Sequence, residues 1–123
     1  MSTNSSVPST SNIQRQILQQ IPIPALPGYE SRLVLLTYPP GVNAPVHTHP
    51  VAATGYVLEG SVLSQWDGPD SLEEFYTAGD SFVDHGTRVH VRSENVSQGG
   101  TGVLRMLISY VIKVGEANVN ALE

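Results

Sequence analysis

The chain predicts an all-β fold, an antiparallel barrel that is closed or built from two packed sheets. Beyond Gly28 the sequence breaks into short runs rich in Val, Leu, Tyr and Thr. Gly, Pro, Asn and Asp punctuate those runs at close intervals, and no segment between them carries a clear helical repeat.

Residues 1–12, MSTNSSVPSTSN, hold too little apolar surface to order themselves and read as a disordered polar tail, with 13–123 as one domain. They also lack the charged and apolar regions of a secretory signal, so a cytoplasmic setting is expected. IQRQILQQ, from Ile13, suits a short amphipathic helix and an edge strand equally. Pro22, Pro24 and Pro27 then exclude a continuing helix. Strands are expected at 32–38, 45–49, 54–58, 61–66, 74–77, 81–83, 89–92 and 103–113. The turns between them are marked by PPG at 39–41, EG at 59–60, DGPD at 67–70, AGD at 78–80 and QGG at 98–100. Both alternating sets of 103–113 are largely apolar, which predicts a strand covered on both faces.

At 123 residues the chain is long enough for one core but not two. Its 40% hydrophobic and 14% charged content, with a mean hydropathy of −0.07, suits a soluble fold, and no run is long enough to span a membrane. A net charge of −5, with six Lys and Arg scattered along the chain, offers no electrostatic footprint for nucleic acid. With no cysteine, any metal must be held by imidazole, carboxylate or carbonyl groups. A Gly-rich phosphate loop, a dinucleotide fingerprint and a nucleophile elbow around Ser61 or Ser64 are all missing.

What stands out is GVNAPVHTHPVAATGYVLEG, residues 41–60. On a strand the period of two sends His47 and His49 to the same face. Such a pair is a common arrangement for holding a transition metal, and equally describes two packed or solvated histidines.

Gly41, His47, His49 and Gly60 resemble the first sequence motif of the cupin superfamily in their spacing, and Gly79 and His90 in GDSFVDHGTRVH resemble the second. The likeness runs from Gly41 to Glu94 and implies a cupin-type jelly-roll β-barrel, an antiparallel double sheet. It also implies that His47, His49 and His90 are ligands of a divalent transition metal, Fe, Zn, Ni or Mn, in a small homodimeric protein acting on a small-molecule substrate. Four positions depart from the family pattern: Ala53 stands where a glutamate ligand is expected, His85 replaces a proline, Thr87 a glycine and Glu94 an asparagine. Three neutral imidazoles would leave an ion its full charge and several open positions, suiting an anionic enolate, phenolate or carboxylate. Alternation turns the small Ala53 and Gly55 inward, an expectation of room for a bulky or bidentate ligand.

His85 is the candidate catalytic residue, as a fourth ligand or a general base, with a solvated loop histidine as the plain reading. Tyr38, Glu30 and Arg88 are pocket candidates by position alone; Glu59 reads as a turn residue, and Trp66 and Tyr56 as packing or subunit-contact residues. Gln14 to Ile23 is expected to add a strand to a neighbouring subunit. Three functions follow from the resemblance: a dioxygenase, a redox-neutral isomerase, cyclase or decarboxylase, and a non-catalytic small-molecule-binding cupin.

Overall fold

The computed structural model describes residues 12–69 and 71–121; apart from Asn12, the segment read as a polar tail lies outside the described residues. IQRQILQQ resolves as strand β1, Gln14–Pro22, which ends at the first of the three prolines. Around it come β2 (Tyr29–Tyr38), β3 (His47–Thr48), β4 (Ala53–Glu59), β5 (Ser61–Trp66), β6 (Glu73–Thr77), β7 (Ser81–Asp84), β8 (His90–Asn95), β9 (Leu104–Lys113) and β10 (Asn120–Ala121). All eight expected strands are present, most shifted by a residue or a few, and β1 and β10 extend the sheets at their edges.

Two five-stranded sheets form, one in the order β1-β2-β9-β4-β7 and the other β10-β3-β8-β5-β6. Every pairing within them is antiparallel, the topology of a double-sheet jelly roll. The core lies between them: Val34, Tyr38, Val57, Val62, Leu104, Met106, Ile108, Tyr110 and Ile112 are all buried. β9 shows how the layers are arranged. Leu104, Met106, Ile108, Tyr110 and Ile112 face the core, while Arg105, Ser109, Val111 and Lys113 are exposed and Leu107 half-buried. The expectation of cover on both faces is therefore corrected. A two-layer sandwich buries one face of each sheet, and among the described residues no element packs outside β9.

β1 pairs with β2 of its own chain, from Gln14 opposite Thr37 to Pro22 opposite Glu30, with a bulge at Leu18. All nine of its residues are exposed.

The far end of β8 is locked by Asn95, which is fully buried. Its Nδ2 donates toward the carbonyls of Tyr38, Pro39 and Gly102 at 3.1, 2.9 and 2.8 Å, and its Oδ1 accepts from Ser97 N–H at 2.9 Å. This asparagine sits one place beyond the expected position 94. Beside it Gly60 turns the β4–β5 hairpin at φ +88°, and a Cβ there would run into Ser97 Oγ and the Val103 carbonyl. Only glycine fits that close approach.

Candidate metal centre

β3 and β8 lie side by side with His47 directly opposite His90, so the backbone register alone brings the two sequence motifs together. His49 follows at the end of β3, and all three imidazoles are buried. Ring centroids of His47 stand 4.9 Å from His49 and 5.0 Å from His90. Each residue offers one ligand atom, and the three atoms fall within 4.8 Å of one another. The three expected ligands are thus gathered at one point.

Hydrogen bonds decide which nitrogens are free. His47 Nδ1 lies 2.6 Å from the Pro45 carbonyl and His49 Nδ1 3.0 Å from the Asn118 carbonyl. A carbonyl only accepts, so both Nδ1 atoms carry hydrogen and both Nε2 atoms keep a lone pair. His90 Nε2 is 2.7 Å from Ser64 Oγ. Among the described residues, His49 Nε2 and His90 Nδ1 are buried with no hydrogen-bond partner. Burying a polar atom unpaired is costly, and here the His49 Nε2 lone pair and the His90 Nδ1 atom are both left unmatched. That donor set fits a divalent transition ion.

Burial keeps the imidazoles neutral, as ligation requires. It pushes His47 down to about 4 and His90 to about 2, and it also lowers His49. Trp66 is buried and stacks on His90, centroids 3.8 Å apart and nearly parallel. His85 meets Trp66 edge-on at 5.0 Å and stands outside the group of three.

The neighbouring strand supplies what the sequence did not reveal. β7 runs one residue beyond the expected 81–83, and Phe82 and Asp84 point inward from it while Ser81 and Val83 are exposed. A Cβ on Gly55 would overlap the Phe82 ring, so the small residues of β4 make room for β7 side chains. The expectation of open volume for a bulky ligand is narrowed on that ground: Phe82 and Asp84 fill part of it, and the cavity that remains leaves about 30 Å³ for the centres of water-sized ligands. Asp84 pairs across the strands with Ala53 and lies with Oδ2 3.5 Å from His49 Nε2. Burial raises its carboxyl to about 7. With His49 neutral and Asp84 largely protonated below that pH, this contact is not an ion pair.

A second buried network holds the C-terminal segment over the site. Arg32 Nε and Nη2 both reach Glu30 Oε2, at 2.7 and 2.6 Å, and Nη1 donates to the Glu116 carbonyl and Asn118 Oδ1 at 2.9 and 2.6 Å. Hydrogen bonds from Gln20 and Arg32 hold the Glu30 carboxyl below its usual range. Asn118 in turn fixes His49. No motif marked residues 116–121, because the group that touches His49 is a backbone carbonyl. Tyr38 lines the cavity, bonded to Ser93 at 3.0 Å, whereas Arg88 lies away from it, against Asp67. Glu59 is exposed beside Arg105, and Tyr56 is exposed on the outer sheet face.

A family model described as a cupin domain matches residues 34–106. Among solved structures, an uncharacterized protein with a double-stranded β-helix domain from Klebsiella pneumoniae is similar over 98% of this chain and 100% of its own, at 17% identity and a TM-score of 0.64. A cupin superfamily protein from Desulfitobacterium hafniense matches 82% of this chain and 78% of its own, at 14% identity and a TM-score of 0.61. An oxalate decarboxylase from Bacillus subtilis matches over 79% of this chain at 20% identity and a TM-score of 0.60, and the chain spans 29% of its length. Identities this low show the fold alone. No curated protein matches the chain.

Proposed function

The chain belongs to the cupin family, and from that premise we propose that it is a metal-dependent enzyme, a dioxygenase of a small organic anion. One observation carries this reading: three buried imidazoles converge, with unpartnered ring nitrogens on His49 and His90. His47, His49 and His90 would hold the ion, with the carbonyls of Pro45 and Asn118 fixing the first two tautomers. A bound Fe, Mn, Zn or Ni ion supplies Lewis acidity and, for Fe or Mn, a redox couple.

The rest of the cavity is the chain's own contribution. Val34, Leu36, Val62, Met106 and Ile108 exclude water, and Arg15 is the one Lys or Arg among the lining residues, a charge that favours an anion. The small enclosed volume supports a substrate of few heavy atoms, such as a short carboxylate or enol. His85, next to Trp66 and near enough to Asp84 to oppose the rise in that carboxyl's pKa, is assigned proton exchange with solvent.

Metal analysis of protein purified without chelator or metal-affinity tag, followed by oxygen uptake with short carboxylates, tests the reading. Bound metal without oxygen uptake moves the reaction to redox-neutral isomerisation, cyclisation or decarboxylation. Failure to bind any of the four ions leaves a binding cupin without metal chemistry. A homodimer is part of the proposal, resting on the exposed edge strand Gln14–Pro22. A scattering mass of one 13.2 kDa chain at micromolar concentration counts against it. Among the described residues no helix is long and apolar enough to cross a membrane.

A further inference from the structure

The carboxylate missing from position 53 has a counterpart on the adjacent strand. Ala53 and Asp84 are directly opposed partners of β4 and β7 on the inward face. Side chains opposed in this way have Cβ atoms roughly 5 Å apart and share one volume. Asp84 is only 6% exposed and lines the same cavity as the three histidines.

Its contact with His49 is unusual for a structural pair. The hydrogen on His49 sits on Nδ1, committed to the Asn118 carbonyl, so Nε2 presents a lone pair to Asp84 Oδ2 at 3.5 Å. An ionised Asp84 and that lone pair would repel at this range, so either a proton on the carboxyl or a cation must lie between them. Two ligands each about 2.1 Å from one ion, at the angles of tetrahedral or octahedral coordination, stand about 3.0–3.4 Å apart. The observed spacing is therefore close to that of ligands sharing an ion. Asp84 does not share the 4.8 Å spacing of the three histidines, so its side chain must turn to reach an ion held by all of them.

We propose that Asp84 is the fourth protein ligand of the metal, supplied by the strand next to the one on which the family's glutamate would lie. This rests on the three-histidine reading above. The swap fits the small residues of β4: a Cβ on Gly55 would collide with the Phe82 ring, and Ala53 leaves the volume opposite Asp84 to the aspartate. A carboxylate ligand also lowers the net charge of the centre, while octahedral coordination keeps two positions for substrate and a small co-ligand.

Co²⁺ titration of the metal-stripped full chain, followed by calorimetry and visible absorption, tests the assignment. Asp84→Asn should weaken Co²⁺ at least roughly tenfold and shift its absorption bands. Ala53→Glu combined with Asp84→Ala should recover most of the affinity lost in Asp84→Ala alone. That comparison stands even where the asparagine variant folds poorly. Equal affinity and an unchanged spectrum in Asp84→Asn, or no recovery in the double variant, overturns the assignment while leaving the histidine centre intact; a proton then separates Asp84 from His49. Absence of Co²⁺ binding by the unmodified chain, or binding indifferent to His47→Ala, overturns both readings.

Discussion

The two ends of strand β8 handle buried polarity in opposite ways. At Asn95 the side-chain amide is fully used: three carbonyls surround its N–H groups and Ser97 N–H reaches its oxygen. At His90, five residues away on the same strand, Nδ1 is buried with nothing to bond, and His49 Nε2 beside it is in the same condition. A satisfied network stabilises one arrangement of the chain; an unsatisfied one costs free energy that only a missing partner can offset. The contrast teaches that burial of polar groups does not identify a site. The residue of unmet hydrogen-bonding capacity does.

Asn95→Ala should break the satisfied end. It leaves up to two carbonyls and one N–H unpaired in a dry core, since the Pro39 carbonyl keeps its bond from Val42 N–H, an expected loss of about 3 kcal/mol in denaturant unfolding. Co²⁺ affinity of the folded variant should stay within about threefold of the parent, because no ligand is touched. His47→Ala with His49→Ala should do the reverse. Removing two ligands is expected to cost at least about a hundredfold in Co²⁺ affinity, while the metal-free unfolding midpoint moves far less than in Asn95→Ala. A double histidine variant that unfolds as readily as Asn95→Ala would erase the distinction between the two ends.

Acid sharpens the comparison further, since only one end titrates. In the metal-free protein His47 is lowered from 6.5 to about 4, so the unfolded chain binds a proton that the folded chain refuses. Stability from this group is complete above pH 6.5 and falls as pH drops toward 4, by about 3 kcal/mol in all. His90, lowered further, adds a loss of the same sign. Asp84 opposes them: raised from 3.8 to about 7, it contributes stability below 3.8 that is lost as pH rises through 7. Denaturant unfolding at pH 7.5, 6 and 5 should show a net decline, steeper in Asp84→Asn. The decrement from Asn95→Ala should be the same at each pH. A flat profile in metal-free Asp84→Asn, where nothing offsets the histidines, contradicts the burial of neutral imidazoles.

Much of the satisfied architecture and half of the unsatisfied site could be read from residues in order. Turn signals such as AGD and QGG located the strands because glycine and aspartate act locally, through φ and through side-chain bonds to nearby backbone. His47, His49 and His90 were readable because strand alternation fixes facing and the motif spacing fixes register. Asp84 was not, for a reason of one residue: ending β7 at Val83 puts the aspartate in a loop, whereas one more residue turns Phe82 and Asp84 inward together. IQRQILQQ stayed undecided because its strand state comes from pairing with β2, a contact made at a distance in sequence. Asn118 left no trace at all, since a main-chain carbonyl gives no side-chain signal.

The smallest expected effect lies in the loop between β7 and β8. Thr87 adopts φ +67°, where a β-branched side chain crowds its own backbone. Its N–H nonetheless donates to the His49 carbonyl at 2.9 Å, tying the loop to the end of β3. That bond helps hold position 87 in the left-handed region, where threonine carries a strain that glycine would not. Thr87→Gly relieves roughly 1–2 kcal/mol of left-handed strain and adds back about 0.5–1 kcal/mol of unfolded-state entropy. A net gain of about 1 kcal/mol or less is expected, read as a small rise in the denaturant midpoint. Because the hydrogen bond is made by the backbone, Co²⁺ affinity should change by less than about twofold. A loss of stability in Thr87→Gly would mean that the threonine side chain itself holds the loop, and that the strain at position 87 is repaid by a contact other than the His49 carbonyl.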